Sequence, residues 1–125
     1  MARADFTAKI REASVELDKR TQLKLTNTGM AVKLDKAVDE TNSIRIAPIG
    51  WAILDVHNEN ARDDKDYTQY IIITEETNYI TGSDSFWGSF INIFEVMDGD
   101  PFEIDIIKKP SRNYEGKSFL TCDIV

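Results

Sequence analysis

A small all-β domain with one helix (small β+α) is expected, with five strands closed into a barrel, the helix inserted between strands three and four, and an extension at the N-terminus. Three features of the 125-residue chain predict it. Short runs of period-2 alternation recur beyond residue 44, as half-buried strands require. One stretch in that region has helical periodicity, with Phe86, Phe90 and Phe94 four residues apart. The first apolar run contains Pro48 and Gly50, which bend a strand or place it at an edge.

A chain of this length supports a single core, burying roughly two thirds of its unfolded surface. Cys122 is the sole cysteine, which excludes an intrachain disulfide or a cysteine-rich metal site and fits a reducing cytoplasm. The N-terminus lacks the apolar stretch of a secretion signal, and no run approaches the roughly 18 apolar residues of a membrane span, so a cytoplasmic protein with no membrane partner is expected.

In chain order, residues 1–43 form the extension and residues 44–125 the barrel. Phe6, Ile10, Ala13 and Leu17 recur at helical spacing among charges, which predicts a short amphipathic arm. Leu23, Leu25 and the run from Met30 to Val38 follow, with Asn27-Thr28-Gly29 as a turn; strand, second helix and extended wrap are all compatible with them. The arm is expected to pack on its own domain; the alternative is an arm exchanged between subunits or folded on a ligand. The bent strand spans Ile44 to His57. Ala52, Leu54 and Val56 fall on one of its faces and Trp51 and Ile53 on the other. If the first set fills the core, the second needs a cover from the arm, a second subunit or nucleic-acid bases.

Residues 58–66 are polar throughout and read as a loop; Asp63, Asp64 and Asp66 lack the spacing and glycine of a calcium loop. Tyr67 to Thr74 reads as a strand, Glu75 to Asn78 as a hairpin turn and Tyr79 to Thr81 as a short strand. Ser83, Asp84 or Ser85 can cap the aromatic helix, and Asp98-Gly99-Asp100-Pro101 stops it. Phe102, Ile104 and Ile106 alternate in a further strand, and Leu120, Cys122 and Ile124 share one face of the last. Bent strand, loop, strand, turn, strand, helix, strand, loop, strand is the order of the five-stranded OB-fold Greek-key barrel.

No catalytic constellation accompanies this frame. His57 is the sole histidine, and phosphate-loop, dinucleotide-binding and nucleophile-elbow motifs are absent, so no enzyme, cofactor or metal site is expected. The net charge of −7 conceals a division. Residues 44–107 hold three Lys/Arg against thirteen Asp/Glu, whereas Lys108, Lys109, Arg112 and Lys117 face only Glu115 between positions 108 and 117. That loop also holds Tyr114. Cations around one ring supply charge for phosphates and a face for an unstacked base. Arg62, Lys65, Tyr67 and Tyr70 fall on the strands and first loop that OB barrels turn toward oligonucleotides, and Trp51 joins the contact set if bases are its cover. Glu103, Asp105 and Asp123 would repel phosphate on the face they share.

The blocks Ile-Leu-Asp-Val-His-Asn, Tyr-Ile-Thr-Gly-Ser-Asp-Ser-Phe and Lys-Lys-Pro-Ser-Arg-Asn-Tyr-Glu-Gly-Lys-Ser-Phe-Leu-Thr-Cys resemble small OB-fold single-stranded DNA-binding proteins of phages of Gram-positive bacteria, the lactococcal type included. The resemblance covers roughly residues 46–125. It implies sequence-tolerant coating of single-stranded DNA in phage replication or recombination, in the host cytoplasm, with self-association into a dimer or larger and phage or host replication and recombination proteins as further partners. Lys108, Lys109, Arg112, Tyr114 and Lys117 would be the DNA contact. Bacterial single-strand binders usually end in an acidic tail that recruits partners, whereas this sequence stops at Thr-Cys-Asp-Ile-Val, so recruitment through such a tail is not expected. Trp51, Ile53 and Phe119, wet on a lone barrel, argue for oligomers. The rival expectation is an OB-fold interaction module that recruits or blocks a host factor through its acidic surface.

Overall fold

In the computed structural model, which describes residues 5–110 and 118–125, the chain runs β1 (Phe6–Ala13), α1 (Lys19–Thr26), a 3₁₀ turn (Thr28–Met30), β2 (Val32–Lys33), α2 (Leu34–Ala37), β3 (Ile44–Ile46), β4 (Gly50–Asn58), β5 (Asp66–Ile73), β6 (Asn78–Thr81), α3 (Asp84–Met97), β7 (Ile104–Pro110) and β8 (Ser118–Ile124). The described strands form a five-stranded sheet in the order β1-β4-β5-β6-β2 and a three-stranded sheet in the order β3-β7-β8. No described helix is long and apolar enough to cross a membrane.

The bent strand is the hinge between the sheets. Pro48 has no amide hydrogen to give a ladder, and the run breaks around it: β3 pairs antiparallel with β7, and β4 pairs antiparallel with β5 from Gly50↔Ile73 to His57↔Asp66. Gly50 is required by a close approach, since a Cβ there would lie 2.5 Å from Val15 Cγ1 and 3.1 Å from Ser14 Oγ. The Trp51 amide donates to Ser14 Oγ at 2.8 Å just beyond it.

Both faces of β4 are covered within the chain. Ala52, Leu54 and Val56 pack with Ile71, Ile80 and Leu25 of α1. Trp51 and Ile53 pack on the opposite side, against the larger core of Ile72, Phe86, Trp87, Phe90, Ile104, Ile106, Leu120 and Cys122, joined by Leu34 and Val38. The expected uncovered face of Trp51 and Ile53 is thus occupied by α3, and these two residues give no ground for an oligomer.

Helix α3 forms where its signals place it. Ser83 Oγ accepts from the Phe86 amide at 3.3 Å, and the chain leaves through Asp98 and Gly99, both left-handed at φ 44° and 91°. Phe86, Trp87 and Phe90 are buried, and an aromatic series continues from Trp87 through Phe90 and Phe94 to Phe102 with centroids 5.1, 5.9 and 6.0 Å apart.

Two expectations are corrected. The N-terminal arm is an edge strand with helices after it: β1 runs antiparallel to β4, and β2 adds a two-residue parallel pairing to β6. Closure of a five-stranded barrel is absent among the described ladders. The reason is local: the free edge of β6 is taken by β2, so β8 remains in the second sheet. What holds is a mostly β, two-sheet architecture with α3 packed between β6 and β7 in chain order.

Candidate nucleic-acid interface

The β7–β8 hairpin divides its residues by parity. Ile104, Ile106, Leu120 and Cys122 point into the core, so Lys108, which pairs with Leu120, shares their side. Its Nζ donates to the Asp35 carbonyl oxygen at 3.0 Å, and the side chain is half-buried. Lys108 is therefore a strut to the N-terminal segment, and the two adjacent lysines serve opposite faces. Lys109 is exposed and sits across from Phe119, itself 43% exposed. Directly opposed side chains have Cβ atoms about 4.5–5.5 Å apart, so one cation and one open aromatic ring stand side by side. Arg112, Tyr114 and Lys117 lie outside the described residues.

Phe119 did not enter the predicted DNA-contact set, although parity could have placed it there: with Leu120 and Cys122 inward, Phe119 and Thr121 must face outward. Further along this face Arg45 clamps Asp105 through 2.7 and 3.1 Å hydrogen bonds, which hold the Asp105 carboxyl below its ordinary range. Part of the expected repulsion toward phosphate is thereby cancelled. Asp123, opposite Asp105, accepts a hydrogen bond from the Ile124 amide at 2.9 Å and makes no ion pair among the described residues.

The other predicted residues do not converge on this place. Tyr70 stacks on Trp87 with centroids 4.8 Å apart and donates its hydroxyl to Asp84 Oδ1 at 2.5 Å, a bond that pushes its pKa up. Trp51 meets Trp87 edge-on at 6.0 Å. Both rings are half-buried packing for α3. Tyr67, three residues from Tyr70, faces the other side of β5 and packs with Leu54 and Val56, so the two tyrosines do not share one surface. Arg62 is exposed in the loop after β4, and Lys65 in that loop pairs with Glu59 at 3.2 Å.

That loop is tied down by His57, whose Nδ1 lies 2.7 Å from Asp66 and Nε2 2.7 Å from Glu59. Only the imidazolium donates from both nitrogens, and these two bonds, Asp66 first, raise the His57 pKa above its ordinary 6.5. A folded pKa above the unfolded one means that the clamp's stabilisation is complete below the unfolded value and is lost as pH rises through the folded one. The expected result is a melting temperature that declines as pH climbs above the ordinary histidine range, with the decline abolished in His57→Gln; parallel profiles for the two chains would disprove the clamp.

No protein-family model, curated protein or solved structure matches this chain.

Proposed function

We propose that this protein binds single-stranded DNA without sequence preference, through the outward face of β7 and β8 and the basic residues between them in the sequence. The observation that carries the reading is the pairing of exposed Phe119 with exposed Lys109, a ring for a base beside a charge for a phosphate. The composition of residues 111–117, Arg112 and Lys117 with Tyr114 against the one carboxylate of Glu115, extends the same chemistry along the chain. The order of the elements supports it further. A first strand bent between two ladders, two strands joined by a tight turn, a helix and then a hairpin follow the OB order, in which the loop joining the last two strands is an oligonucleotide contact. The resemblance to phage single-strand binders adds the setting, namely replication or recombination of phage DNA by a self-associating coat.

Substituting the two exposed hairpin residues tests the reading. Phe119→Ala should weaken binding to oligo-dT by about 1–3 kcal/mol, roughly 5-fold to 150-fold, with little change in melting temperature. Lys109→Ala should lower the salt slope by about 0.7, the share of one single-strand phosphate. Wild-type affinity and slope in both variants would remove the hairpin from the site.

A further inference from the structure

A second surface lies at the other end of β7. There the bend around Pro48, the Thr74–Thr77 turn and the segment leaving α3 enclose a cleft of about 640 Å³. Its floor is aromatic: Tyr79, Phe94 and Phe102 are half-buried, and Phe94 and Phe102 meet edge-to-face. Its rim is acidic, with Glu75 and Glu76 on the turn and Asp100 and Glu103 beyond the helix, all exposed. None of these four carboxylates makes an ion pair among the described residues. Arg45, the one cation among the described lining residues, is already held by Asp105.

The walls are set by backbone hydrogen bonds. The Thr74 amide donates to the Thr77 carbonyl at 3.1 Å, and the Ile49 amide to the Ile73 carbonyl at 2.8 Å. The cleft is thus a built concavity with a surplus of negative charge.

We infer that this cleft docks a lysine- and arginine-rich segment of a partner protein. A long cationic side chain satisfies both halves of the site: its aliphatic stem and charged head lie along aromatic rings, while the head reaches carboxylates. A nucleic acid is excluded by the sign of the rim. Glu103, immediately before β7, and Lys109 near its far end are six residues apart, roughly 20 Å at 3.3 Å per extended residue, so the acidic cleft and the basic hairpin occupy opposite ends of β7. A partner at one end leaves the other open. The cleft stands on its own observations and does not depend on the DNA reading.

The probe is a short fluorescein-labelled peptide with a central phenylalanine flanked by lysines and arginines, followed by anisotropy. The wild-type chain binds it, and the double variant Glu75→Lys/Glu76→Lys weakens binding about tenfold or more. Asp63→Lys/Asp64→Lys makes the same charge change on an exposed loop whose two aspartates do not line the cleft, and keeps wild-type affinity within about twofold. Oligo-dT affinity, measured on the same samples, is not reduced by Glu75→Lys/Glu76→Lys, which separates the two surfaces. Equal losses in both double variants would reduce the effect to the net charge of the chain and overturn the site, as would a wild-type chain that ignores the peptide. Failure of the peptide together with self-association that Glu75→Lys/Glu76→Lys abolishes would assign the cleft to a second copy instead.

Discussion

Phe90→Ala is expected to lower the melting temperature by about 10–20 °C. Phe90 is fully buried, with Trp87 on one side of its ring and Phe94 on the other, and it sits in the cluster that joins α3 to β5, β7 and β8. Truncation to alanine removes the ring and leaves a cavity that α3 cannot close by itself, because Ser83 and Asp98 fix its two ends. Such losses run to about 3–5 kcal/mol, and at this size each kcal/mol moves the midpoint by roughly 3–5 °C. Alanine is the best helix former, so the change cannot be blamed on helix propensity. Phe94→Ala, at a half-buried position on the same stripe, should cost distinctly less. A wild-type midpoint for Phe90→Ala would show that the helix does not seal the core.

Removing residues 1–43 is expected to abolish cooperative unfolding altogether. The segment supplies Leu34 and Val38 to the larger core and Leu25 to the smaller one, all at 2% exposure or less. Each such side chain is worth about 1.5–3 kcal/mol, together about 5–9, against a total stability of about 5–15 for an ordinary domain. Deletion also strips β1 from β4 along seven paired positions and exposes the backs of Ala52, Leu54 and Val56. Circular dichroism of the 44–125 chain should show no sharp thermal transition. A truncated chain that melts sharply at the full-length midpoint would make the extension an accessory.

The elements that could be read in the sequence are those where one local rule dominates. Pro48 and Gly50 marked the bend, Ser83 and Asp98-Gly99 bounded α3, and the alternation of Ile104 and Ile106 gave β7. The N-terminal strand was hidden by its own bulge. Ala8, Ile10 and Ala13 all pack on the same core, but the register shifts between Ile10 and Glu12, so their spacing is two and then three. With Phe6 and Leu17 included, that spacing reads as helical. The bulge also turns Arg11 onto β4 and β5, where its guanidinium bonds Asp55 and reaches Thr68 at 3.1 Å.

The candidate site was legible in composition and less so in direction. Parity alone separates Lys108 from Lys109 and Tyr67 from Tyr70, and it exposes Phe119. What no pattern could show is that the Asp35 carbonyl takes the Lys108 ammonium, or that Tyr70 and Trp51 are spent on Trp87. Both depend on how distant segments pack.

The most direct test of single-strand recognition is a fluorescence titration of the wild-type chain with oligo-dT and with duplex DNA of equal length, at rising salt. The expected outcome is preference for oligo-dT and a logarithmic affinity that falls linearly with the logarithm of salt, by about 0.7 for every phosphate engaged. Absence of binding at low salt, or equal affinity for the duplex, would contradict it.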